Sequence, residues 1–438
     1  MCILYLKSTN VDLGWIIGKN PATPMVIKSL RQGKAFGYYD ATDPQKYVVY
    51  FEDGKNKMSY KEDSHQSYEY CNNLKYTSPL FPVNAINEFF SYATKEQRDK
   101  DIVAENEFYC SMIQMNGYVS KLIKKLALYF KINIQIDQVA QQSYEMKFSG
   151  LTTLHHIINV AYVIMSYISI MNRNDLFIDN PFINKIANAI NSVSAPYYIR
   201  YILSSRTLNL SQFKSCKTAL ESHPESKITL HFGNTELHRK CLIEKYLNFD
   251  NDIIDIGCGE GFYVSHYAPK AEEMGYKYHA VDVDKEELDK AKKKAAKLGL
   301  TKTNFYDSVS CMLKEVDCDL PYDVIMTEVV EHMEMCDSIP IIQSILDKVN
   351  YKKIIITTPN VEFNKNYIMD TKFRHHDHKF ELTTQEFTYY MNRVTDSYDV
   401  TVTYVPVGDI VDNICCSHGA IIRKQTSMLF SHPKKLIN

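Results

Sequence analysis

From Leu237 onward the sequence predicts an α/β fold in which helices cover a mostly parallel sheet. Segments of helical spacing alternate there with short apolar runs of strand length. Upstream, residues 1–70 combine strand-like runs with turn signals, and residues 79–215 carry mostly helical spacing. We therefore predict an α+β N-terminal module over residues 1–225 and an α/β domain over residues 226–438.

The N-terminal module is expected to begin with strands and to continue with helices. Its predicted elements are strands at Ile3–Leu6 and Tyr47–Phe51, a turn at Asp53-Gly54, and helices at Val83–Ala93, Met112–Tyr129 and Ile157–Met171. The apolar run Ile157–Ile170 is too short to span a bilayer, so it predicts a buried helix. The polar stretch Lys214–Lys227 is the predicted linker.

The second domain shows the alternation that defines its class. Strands are predicted at residues 253–256, 278–281, 324–327, 354–357, 400–407 and 420–423, and helices at residues 237–247, after residue 261, and at residues 285–298. Such a pattern requires crossover helices between parallel strands.

Composition limits the functional classes. The chain has 438 residues, of which 45% are hydrophobic and 23% charged, and its net charge of −2 restricts any RNA contact to a local site. Eleven cysteines without a C-x-x-C pair, and an N-terminus without signal-peptide features, predict reduced thiols and a cytoplasmic protein without membrane contact.

A glycine-rich turn follows the first strand of the α/β domain. Gly257, Gly259 and Gly261 let the backbone approach a ligand closely. Dinucleotide-binding proteins use similar turns, but Asp255 would repel a diphosphate. The same carboxylate can hold the ammonium group of S-adenosylmethionine, which the turn therefore predicts as its ligand.

Polar residues at the ends of the next strands complete the predicted cofactor site. Asp282 follows the second strand, where a ribose-binding carboxylate is needed, and Asp284 is a rival for that role. Asp282 could also cap the next helix. The segment Asn304–Ser308 is expected after the third strand, with Asp307 and Ser308 near the adenine, and Thr327 ends the fourth strand.

Two later segments supply ligands for one metal ion. If residues 328–332 are helical, Glu328, Glu331 and His332 share one face, and His378 would be the fourth ligand. Two carboxylates and two imidazoles suit Mn, Co or Fe, with Mg also possible. The alternative is an ordinary solvated helix face.

Four blocks, in this order, resemble the small-RNA 3′-terminal 2′-O-methyltransferase family: Asp255–Gly261, Glu328–Met333, Thr358–Asn360 and Asp377–Glu381. The resemblance implies a Rossmann-like, S-adenosylmethionine-dependent methyltransferase domain. It also implies that the four proposed ligands bind a metal that holds the 2′- and 3′-hydroxyls of an RNA end. One departure is Leu382, where the family usually has Trp.

Shorter matches at Asn10–Trp15, Tyr76–Leu80 and Tyr198–Leu203 are similar to the bacterial, two-part members of the family. This similarity implies an N-terminal module that activates a ligase. The implied partner is a polynucleotide kinase-phosphatase/RNA ligase that acts in RNA repair.

The resulting hypothesis is metal-dependent methyl transfer to the 2′-hydroxyl of the 3′-terminal nucleotide. His332 or His376 would accept the proton, and Arg374 would either position a phosphate or stabilise its loop. Two alternatives stay open: a scaffold that activates an RNA ligase, and a metal-dependent small-molecule O-methyltransferase that acts on a catechol-like diol.

Overall fold

The computed structural model describes residues 2–30, 33–52, 77–172, 180–317 and 319–425. It divides into two compact units, Met1–Phe232 and Gly233–Asn438, which we call the N-terminal and C-terminal units. The domain boundary at residue 225 stays a prediction. The turn predicted at residues 53–54 and the first residue of the Tyr76–Leu80 match lie outside the described residues.

The N-terminal unit contains an antiparallel sheet and a group of helices. The sheet order is β2-β3-β4-β1-β5-β7-β6. Its elements are β1 (Cys2–Ser8), α1 (Leu13–Ile17), β2 (Val26–Leu30), β3 (Gly33–Tyr39), β4 (Lys46–Glu52), α2 (Leu80–Phe89), α3 (Ser91–Lys95), β5 (Ala104–Gln114), α4 (Gly117–Phe130), β6 (Asn133–Ala140), β7 (Ser143–Thr152), α5 (Leu154–Met171), α6 (Asn180–Ser192), α7 (Tyr197–Thr207), α8 (Leu210–Glu221) and β8 (Ile228–Thr229).

Helix α5 is the buried helix that the sequence predicts. Its 18 residues are long and apolar enough to cross a membrane, yet 83% of that window is buried inside the structure. Asp101 accepts hydrogen bonds from the backbone N–H groups of Leu154 and His155, each at 2.8 Å, and so satisfies two donors at the start of the helix. These contacts are typical of a core helix.

Residues 79–215 are mostly helical, as predicted, although β5, β6 and β7 also lie among them. Two other predictions in this unit were wrong. The predicted helix at Met112–Tyr129 begins only at Gly117, where the Asn116 side chain caps it by accepting from the Val119 N–H at 2.8 Å. The predicted linker is helical up to Glu221, because a capping box at Asn209 starts α8.

The C-terminal unit alternates strands and helices as predicted. Its elements are α9 (Thr235–Tyr246), β9 (Asp252–Ile256), α10 (Phe262–Glu273), β10 (Tyr278–Val281), α11 (Lys285–Lys297), β11 (Thr303–Tyr306), α12 (Val309–Glu315), β12 (Tyr322–Thr327), a 3₁₀ turn (Val330–His332), α13 (Met335–Lys348), β13 (Tyr351–Pro359), a second 3₁₀ turn (Val361–Asn366), α14 (Thr384–Thr395), β14 (Val400–Val411) and β15 (Ile414–Lys424).

The strand order of the sheet in this unit determines where a ligand site is expected. Its strands lie in the order β11-β10-β9-β12-β13-β15-β14, parallel as far as β13 and antiparallel at β15 and β14. The chain order reverses between β9 and β12, and ligands of doubly wound sheets bind beside such a reversal, at the carboxyl ends of the strands. All five β9 residues are buried, so the turn after this strand has a rigid base.

Candidate functional site

The glycine turn after β9 has three left-handed glycines, with φ of 74° at Gly257, 52° at Gly259 and 85° at Gly261. A Cβ atom on Gly257 would lie 2.3 Å from the side chain of Val329, and one on Gly261 would lie 2.9 Å from that of Ala291. A Cβ on Gly259 would have no neighbour within 4 Å. The outer glycines therefore serve packing, whereas the middle glycine borders open space that a ligand can use.

Asp282 holds the glycine turn. Its Oδ2 accepts from the Gly259 N–H at 2.7 Å, and its Oδ1 accepts from the Asp284 N–H at 2.9 Å. The helix cap is Asp284, which accepts from the N–H groups of Glu286 and Glu287, so the cap role considered for Asp282 was wrong. Each carboxylate oxygen can accept a second bond, which leaves Asp282 capacity for a ribose hydroxyl.

Asp255 is 1% exposed and lies beneath the same turn. Its Oδ2 accepts from the Tyr278 hydroxyl at 2.8 Å. Burial raises the pKa of this carboxyl to about 7; the Tyr278 hydrogen bond opposes this effect, and the charge of Asp282 adds to it. A proton or a bound cation would therefore stabilise Asp255 near neutral pH.

The other predicted cofactor residues lie at the ends of β11 and β12. Asp307 is exposed, and hydrogen bonds from Cys311 and Ser308 lower the pKa of its carboxyl. Ser308 caps α12. Residues 304–306 belong to β11 itself, so only Asp307 and Ser308 of the predicted segment Asn304–Ser308 follow the third strand, contrary to prediction. Thr327 is buried at the end of β12.

Three of the four predicted metal ligands meet. Glu331, His332 and His378 each offer one ligand atom, and these atoms lie within 4.8 Å of one another. Glu331 is fully buried, and its Oε2 accepts from the Thr358 hydroxyl at 2.9 Å. Its Oε1 has no hydrogen-bond partner among the described residues. Burial, and then the charge of Glu328, raise the pKa of Glu331 well above its ordinary value. We call these three residues the ligand cluster.

Glu328 lies outside the ligand cluster. The expected helix is wrong here, because only Val330–His332 form a 3₁₀ turn and Glu328 has a φ of 54°, which is rare for a residue with a side chain. Its carboxylate accepts from the Thr357 hydroxyl at 3.1 Å and pairs with Arg239 at 3.4 Å.

Two carboxylates that the sequence argument did not assign contact the cluster histidines. Asp377 Oδ2 lies 2.9 Å from Nδ1 of His332, and Glu381 Oε1 lies 2.7 Å from Nδ1 of His378. Burial lowers the pKa of His332, and Asp377 counteracts this effect. The sequence could have indicated both carboxylates, because Asp377 and Glu381 lie in one short block with His378.

The remaining predicted residues differ in surroundings. Arg374 donates from Nε to Asn364 Oδ1 at 2.8 Å and from Nη2 to the backbone oxygens of Asn360 and Cys416, which favours the loop-stabilising role. His376 is exposed. Arg239 was not predicted from the sequence; its side chain is 17% exposed, and its Nε has no partner among the described residues.

The fold is that of a Rossmann-like methyltransferase domain, because it combines a doubly wound sheet, a glycine turn and an acidic residue after the second strand. A family model described as "Methyltransferase domain" matches residues 248–424. A second model, "Hen1 N-terminal domain", matches residues 3–225, just over half of the chain. The chain therefore belongs to the Hen1 family. The predicted fold class and the resemblance are confirmed.

Relatives cover different shares of the chain. "Small RNA 2'-O-methyltransferase" of Arabidopsis thaliana is 31% identical over 116 residues, which are 23% of this chain and 12% of the relative. The protein of the same name from Schizosaccharomyces pombe is 22% identical over 191 residues, 36% of this chain and 49% of the relative. The chain thus matches less than half the length of these relatives.

Two solved structures are similar over both units. One chain of "Structure of the Pnkp1/Rnl/Hen1 RNA repair complex" is 25% identical with a TM-score of 0.80, and the match covers 96% of this chain and 100% of that one. "Structure of Pnkp1/Rnl/Hen1 complex" gives 25% identity, a TM-score of 0.78, and coverage of 97% and 100%.

Proposed function

We propose that the C-terminal unit transfers the methyl group of S-adenosylmethionine to the 2′-hydroxyl of the 3′-terminal ribose of RNA. The observation that carries this proposal is the ligand cluster, which lies beyond the carboxyl end of the strand next to β9. Its buried Glu331 Oε1 has no hydrogen-bond partner in the part of the chain that the structure describes. The names of the curated relatives support the same reaction.

The glycine turn would hold the cofactor. Asp282 would bind the ribose hydroxyls, Asp307 and Ser308 would lie near the adenine, and the open space beside Gly259 would admit the backbone of the ligand. The Nε of Arg239, which has no partner among the residues described, suits the carboxylate of the methionine part, and Asp255 suits its ammonium group. Thr327 completes the set at the end of β12.

The ligand cluster fits a divalent cation. One carboxylate and two imidazoles are ligands that Mn, Co and Fe accept readily, with Mg also possible, and Glu331 has an oxygen free to bind. Glu328 is the proposed fourth ligand, although Arg239 and Thr357 are its present partners. A cation bound here would lower the pKa of a ribose hydroxyl and fix its direction.

The side chains of this protein would select the RNA end, position it and accept the proton. Glu331, His332 and His378 would select an RNA end with two free, adjacent hydroxyls, because a 3′-phosphate or an internal nucleotide cannot present both oxygens. Positioning is the main requirement, since the sulfonium of the cofactor is already a good leaving group. His332 and His376 are the proposed proton acceptors.

A transfer assay tests the proposal. Labelled S-adenosylmethionine is supplied with RNAs that end in 2′,3′-hydroxyls, 2′-methoxy, 2′-deoxy or 3′-phosphate, with EDTA or added Mn. Only the first RNA should be labelled, and only without EDTA. Equal labelling of the 2′-deoxy RNA would contradict the proposed acceptor, and label on a catechol instead would favour the small-molecule alternative.

For the N-terminal unit we propose association with a polynucleotide kinase-phosphatase/RNA ligase, since the similar chains come from Pnkp1/Rnl/Hen1 complexes. The proposed setting is the cytoplasm, where the eight free thiols among the described residues would stay reduced. A fragment of residues 226–438 should methylate RNA but not bind the ligase. A folded fragment that binds cofactor without methylating would contradict the proposed division.

A further inference from the structure

Both histidines of the ligand cluster have one ring nitrogen held by a carboxylate. The two contacts are 2.9 Å from His332 Nδ1 to Asp377 and 2.7 Å from His378 Nδ1 to Glu381. A carboxylate accepts but does not donate, so it selects the tautomer that carries the proton on Nδ1. The lone pair of a neutral imidazole is then on Nε2.

We infer that Asp377 and Glu381 are positioning residues that fix the Nδ1–H tautomers of His332 and His378 and thereby make Nε2 of each ring the ligand atom for a divalent cation. The inference rests on the metal site of the proposed function. Carboxylates that accept from the second nitrogen of a ligand histidine also hold the ring orientation.

The two carboxylates differ in how firmly they are held. Glu381 is 6% exposed and accepts from the Arg374 backbone N–H at 2.6 Å and from Asn364 Nδ2 at 2.5 Å, besides His378. Arg374, whose side chain is bonded to its own loop, thus helps to fix Glu381. This chain of contacts gives the loop-stabilising arginine a role in the site.

Asp377, by contrast, has a side chain that is 50% exposed, and its other contact is His375 Nδ1 at 3.9 Å. A substitution there leaves the core untouched, so Asp377 permits a clean test. The same contacts also bear on the identity of the proton acceptor. With Nδ1 bonded to Asp377 and Nε2 used as a ligand, His332 has no ring nitrogen left for the proton, and His376 becomes the preferred acceptor.

The test uses the full chain with ¹⁵N-labelled histidine at pH 8, which is above the ordinary pKa of histidine. NMR of the metal-free protein reports the tautomer of each ring, with signals assigned through His332→Gln and His378→Gln. Asp377→Ala should lose the Nδ1–H preference at His332 alone. Asp377→Asn keeps an acceptor oxygen and should retain that preference.

Calorimetric titration with MnCl₂ gives the second readout. Asp377→Ala should weaken Mn binding roughly 10- to 100-fold, and Glu381→Ala at least as much, because Glu381 is more rigidly held. Asp289→Asn is the matched control, since this carboxylate is 64% exposed on α11 and should bind Mn like the wild type. Thermal denaturation of each variant separates loss of binding from loss of the fold.

Nε2–H tautomers in the wild type, or wild-type Mn affinity in both Asp377→Ala and Glu381→Ala, would overturn the inference. A wild-type protein with both Nδ1–H tautomers that binds no cation would contradict the metal site of the proposed function, while upholding carboxylate control of the two rings.

Discussion

The glycine turn and the ligand cluster follow neighbouring strands of one sheet, but they differ in how completely their polar groups are bonded. In the turn, both oxygens of Asp282 accept backbone hydrogen bonds, and Asp255 has Tyr278 as its partner. In the cluster, Glu331 is fully buried and its Oε1 has no partner among the described residues.

This difference separates a preformed subsite from an incomplete one. A turn whose groups are bonded keeps its conformation without a ligand, so cofactor binding requires little rearrangement. A buried carboxylate with a free oxygen destabilises the fold unless a proton or a cation neutralises it. Neutralising Glu331 should therefore stabilise the cation-free protein, whereas removal of the Asp282 carboxylate takes the acceptor away from two backbone N–H groups of the turn.

The largest effect is expected at Glu331. Glu331→Gln removes a cluster ligand, so methyl transfer should fall at least about 100-fold. In EDTA the same variant should be more stable than the wild type, by about 1 kcal/mol or more, because a neutral amide replaces a buried carboxylate and can still accept from Thr358. Transfer assays and denaturation in EDTA measure the two effects.

Glu334→Gln is the control for that comparison, since Glu334 is exposed three residues along the chain. It should change neither activity nor stability. If Glu331→Gln were less stable than the wild type in EDTA, the cluster would not be electrostatically incomplete, and the contrast with the turn would fail.

The pH dependence of stability extends the comparison to the turn. Folded Asp255 keeps its proton to about pH 7, whereas an unfolded aspartate loses it near about pH 3.9. The stability contributed by this group is therefore fully present below about pH 4 and is lost as the pH rises through about 7. Asp255→Asn cannot ionise, so its stability relative to the wild type should rise between pH 5 and pH 8, by about 2.5 kcal/mol at most.

Chemical denaturation of the cofactor-free protein at both pH values measures this difference. Asp284→Asn, an exposed position whose new side chain can still cap α11, should show no such change with pH. If the stability of both variants relative to the wild type changed equally with pH, Asp255 would titrate normally and the turn would carry no buried charge.

The sequence was most informative where each strand is short, apolar and buried. The runs before Gly257, Asp282 and Glu328 all became strands of the parallel sheet, because a strand covered on both faces has few polar residues. The order of these strands then placed the proposed cofactor and metal residues at one edge. Three of the four proposed metal ligands lie close together, and their metal-binding role stays a prediction.

Predictions from the sequence were wrong where the same spacing of residues fits more than one local structure. Residues spaced three and four apart fit an α-helix at 328–332, but a positive φ at Glu328 and a 3₁₀ turn direct that side chain to Arg239 instead. In β5, Phe108 and Cys110 alternate with less buried residues, yet nearby apolar residues imitate a helical period. Tertiary contacts decide such cases.

A smaller effect should distinguish the two aspartates after β10. Asp282→Ala removes the carboxylate proposed for the ribose and should weaken S-adenosylmethionine binding by about 1.5 to 3 kcal/mol. Asp284→Ala removes only a helix cap, so it should lower stability by about 1 kcal/mol and leave cofactor affinity unchanged. Calorimetry and denaturation of both variants test this assignment, and a reversed order of affinities would make Asp284 the ribose ligand.

A last comparison lies within the glycine turn itself, where packing and ligand access belong to different residues. Both Gly257→Ala and Gly259→Ala place a side chain in the left-handed region, at a cost of about 1 to 2 kcal/mol. Gly257→Ala should destabilise the protein further, because its Cβ would lie 2.3 Å from Val329. Gly259→Ala meets no neighbour, so its main effect should be weaker cofactor binding, measured by calorimetry beside denaturation. Unchanged affinity in Gly259→Ala would show that the cofactor does not pack against the preformed turn, and would remove the basis for contrasting the turn with the ligand cluster.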